Sequence, residues 1–365
     1  MTVFINGIGV VGSFGSGIDA LVQCLNRGDY PSPVLSDEKS SAVLYPTYTA
    51  DTSCLGEFVP RKVLRRIDHF SQLALTGACL ALKDAGLDSI GMQRTGLVIC
   101  SGYGSAKTTF SFLDSLIDYG DSCASPTLFS NSVHNSASGH ISIILGLDGP
   151  CLTVSQFEMS VHSALLSAVM WLREGRADQI LFGGVDEGCD VLKYCYRGFF
   201  GNRKDIKMTP LTSEKQSAIP GEGAVFFLLS SERLHNKSYC SVESVKVESI
   251  FDKDLHFPED SFCIVNADGH RECDMRYFDI IPEGTQVSCY TPVYGSIPVG
   301  PAFDMAIASI SLRDGTLFPS PESVGNPAGL HIIKERQRLG GNSISCLKIG
   351  RQGELGIITM SDHRQ

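Results

Sequence analysis

The sequence predicts an α/β fold made of two related halves, and three observations carry that prediction. Residues 1–230 alternate apolar runs of strand character with longer helical stretches. The same plan starts again near residue 239 in a shorter copy. The chain has 365 residues, 43% hydrophobic and 19% charged, enough for one large core or two fused ones.

In chain order, TVFINGIGV reads as the first strand, followed by a helix over Ile18–Leu25. FSQLALTGACLALKDAG is helical, TGLVICS a strand, and Thr108–Leu116 a helix with an apolar face at Thr109, Phe112, Leu113 and Leu116. Leu152–Val154 is a short strand running into a helix over Met159–Leu172. QILFGG and AVFFLLS complete the first half. The second half reads YCSVESVKVESIF, SFCIVNADG, QVSCYTPVYG, a helical PAFDMAIASISL and a last strand LGIITM. His235–Tyr239 is the expected junction, giving halves at 1–235 and 236–365.

Composition excludes several classes. Net charge is −10, against nucleic acid or an anionic membrane as main partner. No apolar run approaches the roughly 18 residues of a membrane span. MTVFINGIGVVG has no basic stretch before its apolar segment, so no signal peptide is expected. The 13 cysteines show no CxxC pair and no metal-ligand spacing, which predicts reduced thiols, a cytoplasmic location, and neither metal nor cofactor. Arg61, Lys62, Arg65 and Arg66 form one basic cluster, read as a solvated helix face or a seat for an acidic carrier protein. Gly7, Gly9 and Gly12 match GxGxxG. However, the acidic residue that a dinucleotide site places on a second strand falls in loop-like GDYPSPVLSDEKSS, so a tight glycine turn is the expectation.

Taken together, VFINGIGVVGSFGSGIDAL, RRIDHFSQLALTGACLALKDAGLD, FSNSVHNSASGHISIILGLDGP, REGRADQILFGGVDE and PLTSEKQSAIPGEGAVFFLLSSERL resemble the β-ketoacyl synthases, in order and over nearly the whole chain. The resemblance implies a thiolase-like fold of αβαβα layers. It also allows the family's functional positions to be located. The nucleophilic cysteine falls on Glu158, counted forward from Pro150 or back from Gly175. The first catalytic histidine falls on Asp268, the second on Ser296, and the lysine on Thr291. The glycine-rich gating loop meets only Cys346–Gly350, which does not match. His270 lies two residues past the expected place and is expected to point elsewhere. His162 is expected one turn after Glu158, within pairing reach.

Condensation needs a thiolate to carry the acyl chain and imidazoles to stabilise developing oxyanions. A carboxylate accepts an acyl group poorly and repels an oxyanion. The resemblance therefore implies no catalytic residue here. It points to a silent chain length factor that forms a heterodimer with an active β-ketoacyl synthase, to which an acyl carrier protein delivers. Ser130–His140 is most similar to short ketosynthase-like proteins of aryl polyene clusters. In such subunits the strand around Val154, Gln156 and Phe157 pairs across the dimer axis, and the helix bearing Thr109, Phe112, Leu113 and Leu116 faces the acyl tunnel. The alternatives are a malonyl-carrier-protein decarboxylase or priming subunit, whose relatives keep both histidines, and a stand-alone acyl-binding protein.

Overall fold

The computed structural model describes residues 2–362 apart from 29, 36–43, 88–93, 203–206, 213, 235–237, 253–254, 256, 258–261 and 328. Ten main strands are β1 (Val3–Gly12), β2 (Thr95–Cys100), β3 (Cys151–Val154), β4 (Gln179–Asp186), β5 (Gly223–Ser230), β6 (Cys240–Ser249), β7 (Phe262–Val265), β8 (Gln286–Ser288), β9 (Ser343–Ile349) and β10 (Glu354–Ser361). The main helices are α1 (Ile18–Arg27), α2 (His69–Ala85), α3 (Ala106–Tyr119), α4 (Ser136–Leu145), α5 (Ser160–Arg173), α6 (Asp190–Phe200), α7 (Arg271–Ile280) and α8 (Gly300–Asp314).

The strands line up as β1-β5-β4-β2-β3 and, on the other side of β1, β6-β10-β9-β7-β8, with His331–Ile332 added beyond β8. Each half has the same pattern. Its first strand lies antiparallel to its last, and three parallel strands complete it. β1 and β6 pair at Val3–Ile5 and join the halves into one sheet. Of the expected junction, 235–237 lie outside the described residues; on either side, Asn6 accepts from the Leu234 N–H at 3.1 Å and the Ser238 hydroxyl at 2.5 Å.

Strand alternation sorts the side chains into layers. Leu97, Ile99, Leu181, Phe226 and Leu228 pack with α2 and α4. The opposite face, with Val98, Phe182, Val225 and Phe227, meets α5 and α8, which also cover Ile264, Ile344, Cys346 and Ile358 of the second half. Cys263, Val265, Leu347 and Ile357 turn outward toward α7. The order helix, sheet, helix, sheet, helix is the five-layer arrangement expected from the sequence. The bulge between Ile5 and Gly7 lets Ile5 and Ile8 share the central layer.

One sequence reading changes. Gly7 and Gly9 do not form a turn; they lie inside β1. A Cβ on Gly9 would stand 2.1 Å from the Gly77 carbonyl oxygen, and one on Gly7 2.5 Å from that of Ala81. The glycines let α2 lie directly on the strand, so their spacing comes from packing and not from a phosphate. Among the described residues, no helix is long and apolar enough to cross a membrane.

Candidate functional site

β3 delivers the chain to a strained junction. Phe157 has a φ of 43°, costly for a bulky residue, so the strain lies one position before Glu158. Its side chain is 60% exposed and meets Tyr103 edge-on, with ring centroids 6.3 Å apart. The Gln156 N–H donates to Ser160 Oγ at 2.8 Å, and Ser163 Oγ donates to Gln156 Oε1 at 2.6 Å, which together pin the turn to α5. Glu158 pairs across the halves with Arg351, Oε1 to Nε 3.5 Å. It does not pair with His162, which points into the central layer against Gly356, where an added Cβ would lie 2.4 Å from the ring. Burial, aided by the charge of Lys348, pushes the His162 pKa down to about 3.

The second half supplies a buried charge cluster. Asp268 follows β7 and accepts from Lys348 Nζ at 3.0 Å, from the Ser296 hydroxyl at 3.2 Å and from His270 Nδ1 at 2.9 Å. Burial works against its charge, but Lys348 and His270 hold the carboxyl well below the ordinary range. Lys348 likewise stays above its usual value despite burial, because Asp268 faces it. Asp274 accepts the Asp268 and Gly269 N–H groups, each at 3.1 Å, and its carboxyl is raised to about 7 by burial and by the charge of Asp268.

His270 does not point elsewhere. Arg351 Nη2 lies 3.2 Å from its Nε2. Arginine only donates, so this bond leaves the proton on Nδ1, facing Asp268. The geometry that brings it in is the turn at Gly269, where φ is 84°. Ser296 bonds the Tyr196 hydroxyl at 3.1 Å, whereas Thr291 is turned away onto the Ala267 carbonyl.

Beside Glu158 and Arg351 lies a cleft of about 620 Å³, which Asp268, Ser296 and Thr291 do not line. Tyr103, Phe157, Tyr196, Phe199 and Phe200 supply its aromatic walls, and Glu158, Glu354 and Arg351 line it with Gln156, Gln352 and Cys195. Thr109, Phe112, Leu113 and Leu116 lie on α3 and do not line it. Phe112 instead stacks at a tilt on Phe129, centroids 5.4 Å apart. Arg61, Lys62, Arg65 and Arg66 are exposed on and after a short helix. The junction carries no thiol, and carboxylates stand at 158 and 268. The cleft can hold an apolar ligand and pair its polar end.

Lys348, Arg351, Tyr103 and Tyr196 were not anticipated. Lys348 had a signal, since it shares the inward alternation of Ile344 and Cys346, where a lone cation needs a buried acid. Arg351, Tyr103 and Tyr196 had none, because only the fold brings three loops and a helix together.

The family model "Beta-ketoacyl synthase, N-terminal domain" matches residues 3–235. Nodulation protein E of Rhizobium leguminosarum bv. trifolii is 30% identical over 235 residues, 63% of this chain and 58% of that protein. The chloroplastic 3-oxoacyl-[acyl-carrier-protein] synthase I of Arabidopsis thaliana is 25% identical over 246 residues, 63% of this chain and 51% of that one. The matches thus span little more than half the length of these relatives. In fold the likeness extends along the whole chain. A β-ketoacyl synthase from Burkholderia phymatum STM815 superimposes over 100% of both chains with a TM-score of 0.84 at 16% identity. The ishigamide ketosynthase/chain length factor covers 99% of both with a TM-score of 0.82, also at 16% identity. A match to the family's own model over most of the chain, on a fold shared along its whole length, means that this chain belongs to the β-ketoacyl synthase family.

Proposed function

We propose that the chain is a condensation-silent subunit of the chain length factor type, which forms a heterodimer with an active β-ketoacyl synthase and shapes its acyl tunnel. The observation that carries this reading is the ionised Asp268, locked to Lys348 and His270 where the family has an imidazole, together with Glu158 in place of the thiol. A fixed carboxylate repels the oxyanion that condensation must stabilise, and losing one such donor alone costs about 10²–10³ in rate. In this reading residues 1–235 are the ketosynthase-like half and 236–365 a shortened second half. The subunit works in the cytoplasm, in an aryl polyene or related type II polyketide system, and the acyl carrier protein serves the partner. α3 bounds the tunnel through Thr109, Phe112, Leu113 and Leu116. One neighbour in fold is itself a ketosynthase/chain length factor, which supports the assignment of type.

The test is reconstitution with a full Cys-His-His ketosynthase. The chain alone should turn over no acyl- and malonyl-carrier protein; with the partner it should copurify at one to one. Phe112→Ala or Leu116→Ala should lengthen the product by mass spectrometry, and Thr109→Trp should shorten it. Ketoacyl product from the chain alone would contradict the reading, as would an unchanged length distribution from three variants that all assemble.

A further inference from the structure

A second hollow, of about 610 Å³, opens at the C-terminal end of α1 and shares no lining residue with the cleft beside Glu158. That volume falls within the range of small-molecule sites. Hydrogen bonds hold its sides together. α1 ends at Gly28, where φ is 66°, and just beyond it the Tyr30 hydroxyl donates to the Pro319 carbonyl at 3.4 Å. The Ser320 N–H donates to the Ile333 carbonyl at 2.9 Å, and Lys334 Nζ donates to the Val324 carbonyl at 3.3 Å. The floor is apolar: Tyr48 is 3% exposed, Met208 is 1% exposed, and Pro292 is buried beside them. Pro31, Pro33, Pro319 and Pro321 add to the walls. Proline has a fixed φ and no N–H, so these walls are stiff and poor in backbone donors.

The charges around it are one-sided. Arg27, Lys207 and Lys334 line the hollow against a single acid, Glu322, an excess of two positive charges on a chain whose net charge is −10. Among the described residues neither Arg27 nor Lys334 forms an ion pair, and Lys334 is bonded to a carbonyl instead. Burial holds the Lys334 ammonium below the ordinary lysine value, and Cys289 and Glu322 offset that only in part. We propose that this hollow binds an organic phosphate monoester, an apolar body that ends in a dianionic head. The buried floor takes the body, through ring and methyl contacts. With so few amide donors in the walls, side chains meet the head. A phosphate monoester carries close to two negative charges near neutral pH and has three acceptor oxygens, which match the excess of charge and the number of cations. A carboxylate matches half of that charge, and an ammonium is repelled by all three cations. Arg27, Lys207 and Lys334 are exposed, so the attraction is screened and weakens as salt rises.

The inference is independent of the subunit reading, because binding by the isolated chain tests it and partner assembly does not enter. Isothermal titration of the wild-type chain, near neutral pH and in low salt, should rank phenyl phosphate first among four probes. It should bind about tenfold tighter than benzoate and tighter than inorganic phosphate, and benzylamine should not bind. Salt at about 0.5 M should narrow the gap between phenyl phosphate and benzoate. Lys334→Gln and Arg27→Gln should each weaken phenyl phosphate about threefold, and Glu322→Gln should tighten it by a similar factor. These opposite signs, on three exposed side chains, place the ligand in this hollow. Equal affinity for phenyl phosphate and benzoate, benzylamine binding as well as either, or inorganic phosphate binding as tightly as phenyl phosphate would each overturn the proposal. So would an unchanged affinity in Glu322→Gln, or no binding of any probe at millimolar concentration. The wild-type ranking decides even if a variant fails to fold.

Discussion

Lys348 and Asp268 show what a single buried pair commits the chain to. Both side chains are nearly inaccessible, so neither charge is stable without the other. Lys348→Met should destabilise the chain by about 3–5 kcal/mol in urea unfolding, since it strands Asp268 in the core. Lys348→Met combined with Asp268→Asn should recover most of that loss; equal midpoints for the single and double variants would show that the pair is not what is lost. At the junction, Glu158→Cys should not restore condensation. The new thiol would still lack the two imidazoles whose places in the sequence Asp268 and Ser296 take, and ketoacyl formation by this variant alone would contradict that account. Sequence counting singled out Glu158, Asp268 and Ser296; the structure sets Glu158 in the turn before α5 and brings Ser296 onto Asp268 at 3.2 Å. The counting misjudged His270 because a turn at Gly269 redirects the side chain, and it paired Glu158 with His162 because helical spacing says nothing of a cation arriving from β9 and the loop beyond it.

Among the elements, β3 is the exposed one. It pairs with β2 alone, and among the described residues its outer edge is open. The N–H groups of Leu97 and Ser101 reach the carbonyls of Pro150 and Val154, so residues 150, 152 and 154 turn inward and Cys151 and Thr153 turn out. A proline at Val154 would therefore damage the chain's own ladder. Thr153→Pro removes an outward donor instead. If β3 joins a ketosynthase subunit, this variant should lose co-elution in gel filtration while its own melting temperature barely changes; normal co-elution would place the interface elsewhere. The elements themselves were legible, since β1, α2, α5 and α8 carry long unbroken patterns. The role of the glycines in β1 was not, because GxGxxG reads alike in a turn and under a helix, and only α2 lying on Gly9 separates the two.

Over the whole molecule, buried acids set the response to pH. Burial raises Asp186 and Asp304 to about 6, and Glu187 and Asp274 to about 7. Each takes up a proton more readily folded than unfolded, where carboxyls titrate near about 4. Their stabilisation is therefore full below the unfolded value and lost as pH rises through 6 to 7. His162, lowered to about 3, opposes them as one group against four. Asp268, lowered, acts at the acid end, its contribution disappearing as pH falls below about 4. The melting temperature should be higher at pH 6 than at pH 8, by on the order of 2 °C, and fall below pH 4; a flat or rising profile from pH 6 to 8 would count against these assignments. The continuous sheet has another consequence, in time. β1 leaves the ribosome well before its two long neighbours, β5 and β6, which begin only at Gly223 and Cys240. At about 5–20 residues per second, roughly 10–40 s pass before either exists. Through that interval an apolar strand of ten residues waits with no sheet to join, and the nascent chain's solubility rests on whatever shields it.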